Sequence, residues 1–579
     1  MGKRMSKEWM IPPPWTGLEE AVKRLRVSPL VAQILHNRQL AEPGAAGAFL
    51  DPQLKDLIDP EALPGATAAA ERIAACVSRG EKIVLYGDYD VDGIMGVSIL
   101  YHVLRLAGAT VDFYVPHRLE EGYGLNAEAL AKLAEQGAKM VVTVDCGVTS
   151  CAEADQAKTL GVELIITDHH MAKEQLPAAL IVHPGLEEGA VNPHLCGAGV
   201  AFKLAWAVAR RVSGSQRVPS PYREFLVDAL CLAALGTIAD VVPLVGENRI
   251  ITRFGLAGLP RCGLAGVRAL IDSANLRNDK IDAYHVGFLL APRVNAAGRM
   301  GHARLAVEMF ARADEARARE IAMYLEEQNA QRQAVGRKTT KQACELVERL
   351  GMDADSCHGI VLAEEGWHAG VIGIVASRLV DQYRRPTVMI AMDGDSGQGS
   401  ARSVAHFQLH EVLSACGEHL ETFGGHAMAA GLRIRAENVG PFREAFTEIA
   451  NNKLTPADLR PRLRLDAQVT LGELSEETVE RVLALGPFGM GNPKPRLATD
   501  WLSIDGEPRC VGKNGNHLQF AVRDNGTFRK AIGFGMGEHL QDLLDHRQCR
   551  VAFEPIINDF NGRRSVELQI QDIQFPGAG

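Results

Sequence analysis

Gly87-Asp88-Tyr89-Asp90-Val91-Asp92-Gly93 sets three carboxylates at alternate positions. An apolar run, Ile83-Val84-Leu85, ends just before it, and another, from Ile94 to Leu106, begins directly after it. Folding alone gives no reason for this arrangement. Like charges at the mouth of a buried element repel, and they raise one another's pKa unless a cation neutralises them. Carboxylate oxygens ligate hard or borderline divalent ions such as Mg²⁺ and Mn²⁺. The stretch therefore reads as half of a metal site lying between a strand and a helix.

Outward from it, the chain alternates. The pattern predicts a helix at 67–78, a strand at 82–87, a helix at 94–107 and a strand at 110–115. A helix at 126–136, a strand at 139–145, a helix at 151–160 and strands at 162–167 and 179–183 follow, then helices at 198–212 and 223–239. Short apolar runs between helices indicate a parallel sheet covered on both faces. Such sheets bind ligands at the carboxyl ends of their strands. Those ends carry Asp88, Asp90 and Asp92, then Asp145, then Asp168, His169 and His170, while Asp240 follows the last helix. A single aspartate after a strand is ordinarily a cap or turn residue. Four such pieces in one α/β domain make a site for two divalent ions about 3.5–4 Å apart, the usual machinery of phosphoester hydrolysis.

The flanking regions are expected as follows. Residues 1–66 form a lead-in with one amphipathic helix at 18–26, and Trp15 and Pro12-Pro13-Pro14 pack on the next domain. Residues 243–300 are mixed and end in a Gly/Ala-rich turn. There Arg293, Asn295 and Arg299 either hold phosphate oxygens or are simply solvated. From 301 to 350 runs a long polar helix, or two with a kink near Gly336. A second α/β domain, 351–455, contains Trp367-His368 and two small-residue loops. One loop, 397–403, has Ser400 and Arg402; the other, 423–431, has Gly425 and His426. Glycines beside a hydroxyl, an arginine and a histidine let backbone amides close on a phosphate, and Trp367 is either a core residue or part of that surface. Residues 456–579 alternate short strands with Gly/Asn turns. They read as a closed barrel of OB type suited to single-stranded nucleic acid, with a rigid loop at 486–495 between its first two strands.

Bulk composition is compatible with this. The 579 residues exceed one core, and 46% hydrophobic with 23% charged residues is ordinary for a globular protein. No apolar run reaches the roughly 18–20 residues of a membrane span, and the N-terminus shows no secretory pattern, so the expected location is cytoplasmic. Eleven cysteines without a C-x-x-C pair read as reduced small core residues, Cys146 among them. A net charge of −9 argues against a broad nucleic-acid-binding surface and leaves room for a narrow basic channel.

Nine motifs together resemble one known family. They are GDYDVDG at 87–93, VDCG at 144–147, TDHH at 167–170, ADVVPL at 239–244, PRVNAAGRMG at 292–301, GWHAGVIGIVASRL at 366–379, GSARS at 399–403, GGHAMAAG at 424–431 and PFGMGNPKP at 487–495. They resemble the DHH phosphoesterase superfamily, and within it the bacterial 5′→3′ exonucleases specific for single-stranded DNA. The resemblance implies an α/β protein with a DHH parallel-sheet domain at 67–300. A connecting helix at 301–350 would lead to a DHHA1 domain at 351–455, followed by an OB-fold at 456–579. It implies two ions, Mn²⁺ or Mg²⁺. Asp90 and Asp145 hold one, with Asp88 contributing; Asp92, His169 and Asp240 hold the other, with Asp145 bridging. His170 faces the scissile phosphate, while Arg293, Ser400, Arg402 and His426 grip backbone phosphates. It further implies a role in DNA recombination and repair, with a single-strand-binding protein and a RecQ-type helicase as partners, and a monomer by default. Two alternatives stay open: a phosphoesterase of short oligonucleotides or cyclic dinucleotides, and a non-catalytic scaffold on the same fold.

Overall fold

Burial on both faces explains the strands of the first sheet. In the computed structural model, which describes residues 7–117, 121–122, 124–277, 280–299, 302–560 and 562–577, β1 (Lys82–Gly87) sends Ile83 and Leu85 to one buried cluster and Val84 and Tyr86 to another. The chain continues through α1 (Val91–Leu106), β2 (Thr110–Tyr114), α2 (Ala127–Glu135), β3 (Ala138–Val144), α3 (Cys151–Thr159), β4 (Glu163–Thr167) and β5 (Leu180–Val182). The five strands are all parallel in the order β2-β1-β3-β4-β5. Helices α4 (Gly197–Ser213) and α5 (Tyr222–Ala239) pack on α1, which is buried along most of its length.

Several elements differ from expectation. Helix α1 starts at Val91, three residues earlier than the apolar run suggests, because Asp90 caps it. The lead-in holds three helices, Leu18–Leu25, Pro29–Asn37 and Pro43–Leu50. Two of them begin with proline at the first helical position, where its missing N–H costs nothing. Trp15 stacks on His36 of the same segment, with ring centroids 4.3 Å apart. The described residues between 246 and 299 form a series of helices joined by short turns, including α6 (Gly246–Gly258) and α7 (Ala291–Arg299). The expected turn at 292–301 is therefore a helix: its alanines favour one, and Gly298 lies close against the Tyr89 backbone. Met300 and Gly301 at its end lie outside the described residues.

The long helix is α8 (Glu315–Arg349), preceded by a short helix at Ala303–Ala311. The break falls at 312–314, and Gly336 sits inside an unbroken helix. The chain divides into two units. One is Ile11–Glu326 with Arg464–Gly579, and the other is Met1–Met10 with Glu327–Leu463.

The second unit contains β6 (Ile360–Glu365), α9 (Ala369–Tyr383), β7 (Thr387–Asp393), β8 (Ser396–Arg402), β9 (Thr422–Gly425), β10 (Ala429–Arg435) and α10 (Val439–Lys453). The sheet order is β9-β10-β8-β7-β6, parallel only between β6 and β7. The two expected glycine loops are thus largely strands. Gly399 is small because a Cβ there would lie 2.5 Å from Leu432.

In the first unit, β11 (Leu502–Val511), β12 (His517–Asp524), β13 (Thr527–Gly533), β14 (Gln548–Phe560) and β15 (Arg563–Gln574) close a five-stranded barrel, β11-β12-β13-β15-β14 and back to β11. Residues 463–469 supply no strand of this ring: Arg462–Arg464 pairs with Glu8–Met10, and Ala467–Gln468 pairs with Leu497–Ala498 at the ring's margin. The lead-in helices bury Leu30, Ile34, Leu35 and Phe49 in the barrel's own core. Among the described residues no single helix is long and apolar enough to cross a membrane.

Candidate metal centre

Strands β1, β3 and β4 are neighbours, so the residues that follow them emerge side by side, one strand spacing of about 4.8 Å apart. Asp88 N donates to Val144 O, Asp145 N to Thr167 O and Asp168 N to Val182 O, so the ladder continues one step beyond each strand. Asp145 then turns into the left-handed region, with φ 66. That conformation is tolerated by aspartate better than by most side chains. Asp90 caps α1, accepting from Asp92 N at 2.8 Å and Gly93 N at 3.2 Å. Asp92 lies in the first turn of α1 and meets the N-terminus of α4, where Gly197 N and Ala198 N donate to its two oxygens at 2.5 and 2.9 Å. Asp240 is the residue at which α5 ends.

The ligand atoms fall into three overlapping groups, each within 4.8 Å: Asp88, Asp90 and Asp145; Asp92, His169 and Asp240; and Asp145, His169 and His170. His169 Nε2 lies 3.1 Å from Asp145 Oδ1, 3.6 Å from Asp240 Oδ2 and 3.8 Å from Asp92 Oδ2. Both His169 Nε2 and Asp240 Oδ2 are buried and make no hydrogen bond among the described residues. Burial raises the pKa of Asp92 and, with the charges of Asp92, Asp90, Asp88 and Asp240 added, raises Asp145 well above the usual carboxylate range. Asp240 is pushed up to about 8 by burial and by Asp92 and Asp90. Burial lowers His169, which keeps its imidazole neutral and able to ligate. So many acids cannot all ionise here by themselves, and divalent cations remove that conflict. The donor set of carboxylates with one imidazole suits Mn²⁺ or Mg²⁺.

Asp168 does not join these groups. Its Oδ1 accepts from His169 N, His170 N and His170 Nδ1 at 2.8, 3.1 and 2.8 Å, and its Oδ2 from Val148 N at 2.9 Å. It orients His170. Burial alone would lower His170, yet the hydrogen bond and charge of Asp168, with Asp240 and Asp88, raise it to about 9. Cys146 is buried and its thiol is pushed far up by burial, so it is an inert core residue.

Other expected site residues are placed differently from one another. Arg293 is committed to an ion pair with Glu326 at 2.5 Å. Asn295 Oδ1 accepts from Val91 N at 3.1 Å, so it fastens the start of α1. Arg299 ends α7. Trp367 is buried, with Nε1 donating to Gln342, which removes it from any stacking surface. His368 caps α9, its Nδ1 accepting from Gly370 N. Ser400 Oγ accepts from Arg402 Nη1 at 3.1 Å, and a Cβ on Gly373 would lie 2.9 Å from Ser400 Oγ and 3.0 Å from Arg402 Nη2. Ser400 and Arg402 therefore lie against the first turns of α9, whose N-terminus favours anions. Gly425 ends β9 with φ 141, and His426 is exposed beside it.

Two glycines were missed as site residues. A Cβ on Gly197 would come within 2.6 Å of the Asp145 side chain, and one on Gly236 within 2.5 Å of Asp92 Oδ1. A small residue opposite a carboxylate is their only trace in the sequence.

Comparison with known proteins agrees with this architecture. The DHH family N-terminal domain matches residues 82–236, the DHHA1 domain 356–452 and the RecJ OB domain 465–572. The single-stranded-DNA-specific exonuclease RecJ of Bacillus subtilis is 38% identical over 560 residues, covering 96% of this chain and 69% of the relative. RecJ of Thermus thermophilus in complex with Mn²⁺ superposes with a TM-score of 0.85 at 31% identity, covering 100% of this chain and 81% of that one. Its complex with Mg²⁺ superposes at 0.79, with 30% identity over 100% and 80% of the two chains. On identity, coverage and domain order, this chain belongs to the RecJ family of single-stranded-DNA-specific exonucleases within the DHH superfamily.

Proposed function

We propose that the protein is a metal-dependent exonuclease that hydrolyses phosphodiester bonds of single-stranded DNA from the 5′ end, in recombination and repair. The observation that carries this reading is the joining of five carboxylates and a neutral imidazole in overlapping groups at one sheet edge. Asp90 and Asp145, with Asp88, hold one divalent ion. Asp92, His169 and Asp240 hold the second, and Asp145 lies between the groups. Bound Mn²⁺ or Mg²⁺ supplies a nucleophile at neutral pH and offsets charge on the reacting phosphate.

The chain's own side chains do the rest. Asp168 fixes the His170 ring through Nδ1, so that Nε2 is directed to the scissile phosphate or the departing oxygen as hydrogen-bond donor or general acid. Ser400, Arg402 and the start of α9 hold a backbone phosphate, with His426 beside them, while the barrel binds the strand by stacking and charge. The proposed boundaries are 67–300 for catalysis, 301–350 for the connecting helix, 351–455 for phosphate binding and 456–579 for the barrel, after a lead-in at 1–66. A cytoplasmic monomer working with a single-strand-binding protein and a RecQ-type helicase completes the proposal.

Digestion of 5′- and 3′-end-labelled single strands with each metal, beside a matched duplex and a dinucleotide, tests it. Release of the 5′ label first from single strands, absent with EDTA, is expected. Preference for the dinucleotide or the duplex would overturn the reading.

A further inference from the structure

Between α5 and α6, residues 240–245 form a short strap that starts at Asp240. Its second residue, Val241, has φ 63. A β-branched side chain in the left-handed region is a strained outlier, and such a conformation persists only when the surroundings hold both of its ends. The near end is held by α5, where Asp240 N donates to Gly236 O at 2.9 Å.

The far end is held by the barrel domain. Leu244 is buried, and its N–H donates to Met490 O at 2.8 Å. Met490 belongs to the rigid loop at 486–492. That loop is internally fixed by Gly489 N to Asn492 O at 2.9 Å and by the fully buried Asn492, whose Nδ2 donates to Leu485 O and Pro487 O at 2.9 and 2.8 Å. It also fits the strap too closely to carry side chains: a Cβ on Gly489 would lie 2.7 Å from Leu244 Cδ1, and one on Gly491 3.1 Å from Pro243 Cβ. Buried Arg249, at the start of α6, donates to Gly486 O at 2.9 Å. Arg38 of the lead-in donates to Asn492 Oδ1 and, at 2.7 Å, to Pro493 O.

We propose that the 486–492 loop of the barrel domain is a positioning element of the metal centre, clamping Leu244 so that Val241 stays left-handed and Asp240 stays aimed at His169 and Asp92. The proposal rests on the reading of Asp240 as a metal ligand. It gives the barrel a second task beyond holding DNA. The loop touches no reacting atom and acts through the strap.

The test is calorimetric titration of Mn²⁺ into metal-free full-length protein, with single-strand binding measured in EDTA alongside. Asp240→Asn is the reference and is expected to lose tight binding of one ion. Gly489→Ala is expected to weaken one ion by about tenfold, as loss of outer-sphere support does, with DNA affinity unchanged. Adding Val241→Gly to Gly489→Ala is expected to restore most of that affinity, because glycine keeps the left-handed turn without a clamp. A purely architectural loop would show no such rescue. If Gly489→Ala does not fold, Leu244→Ala, which removes the side chain packed against Gly489, carries the same comparison. Wild-type Mn²⁺ affinity in the loop variant, or failure of Val241→Gly to restore it, overturns the proposal. Wild-type affinity in Asp240→Asn overturns the metal reading itself.

Discussion

The acidic edge of the parallel sheet and the glycine-rich strands of the second unit both carry residues suited to phosphate chemistry, but they are built in opposite ways. At the sheet edge Asp92 and Asp145 are almost fully buried, at 1% and 2% exposure, and are hemmed by Gly236, Gly197 and backbone N–H groups. Around β9 the residues from Thr422 to His426 are exposed. Burying charge is costly, so the first region is tolerable only with a fixed geometry and a counter-charge. The second pays little desolvation, and its side chains remain free to follow a ligand. Rigid geometry thus sits where burial is deepest, and conformational freedom where it is slight.

The largest expected effect comes from the buried side of this contrast. Asp92→Ala should reduce hydrolysis by about 10³-fold or more, since a lost ion removes several kcal/mol of charge stabilisation. DNA binding, read by fluorescence anisotropy, should persist; near-normal turnover would break the contrast at once. Next comes Asp168→Asn. In the metal-free protein the His170 ring should titrate near pH 9, and the variant should bring it down toward the ordinary 6.5, as followed by NMR. The sign follows from the raised value. The stabilising His170–Asp168 interaction is fully present below pH 6.5 and is lost as pH rises through about 9.

In the second unit, the half-buried Arg402 offers the next test: Arg402→Ala should weaken single-strand binding and lower its salt slope by about 0.7, the value of one phosphate contact. Smallest is Trp367→Phe. It should cost about 1 kcal/mol of stability through the lost Nε1 bond, with DNA affinity unchanged. A Trp367→Phe defect in binding as large as that of Arg402→Ala would show that the buried-against-exposed distinction does not govern this unit.

Burial also explains what the sequence made legible. The strands of the first sheet read cleanly because continuous apolar runs have few other uses, and Asp88, Asp145 and Asp168 stood out because charge at a buried edge needs a reason. Which of those acids orients and which converges was not readable. Asp168 turns its oxygens to the N–H groups of His169, His170 and Val148, while Asp145 turns left-handed and converges on the other acids. Asn295 lies in a motif rich in arginine, but its partner, Val91 N, is 204 residues away. Trp367 looked equally suited to core or surface, and only packing among Val371, Ile372 and Leu362 decides. Glycines at 397 and 399 resembled a loop, since the side chains that leave them no room, Met392 and Ile390 of β7 and Leu432 of β10, lie on neighbouring strands.

The shared core of the lead-in helices and the barrel bears on how the chain is made. Leu30, Ile34, Leu35 and Phe49 are buried with Val469, Leu502, Val551 and Phe553. During synthesis the first group leaves the ribosome long before the second exists. At about 5–20 residues per second, the delay is roughly 20–80 s. Throughout it, amphipathic helices with no partner present apolar faces to the cell. Stopping translation before the barrel should leave a product whose N-terminal segment is protease-sensitive and prone to aggregate, although every residue of the catalytic sheet has been made.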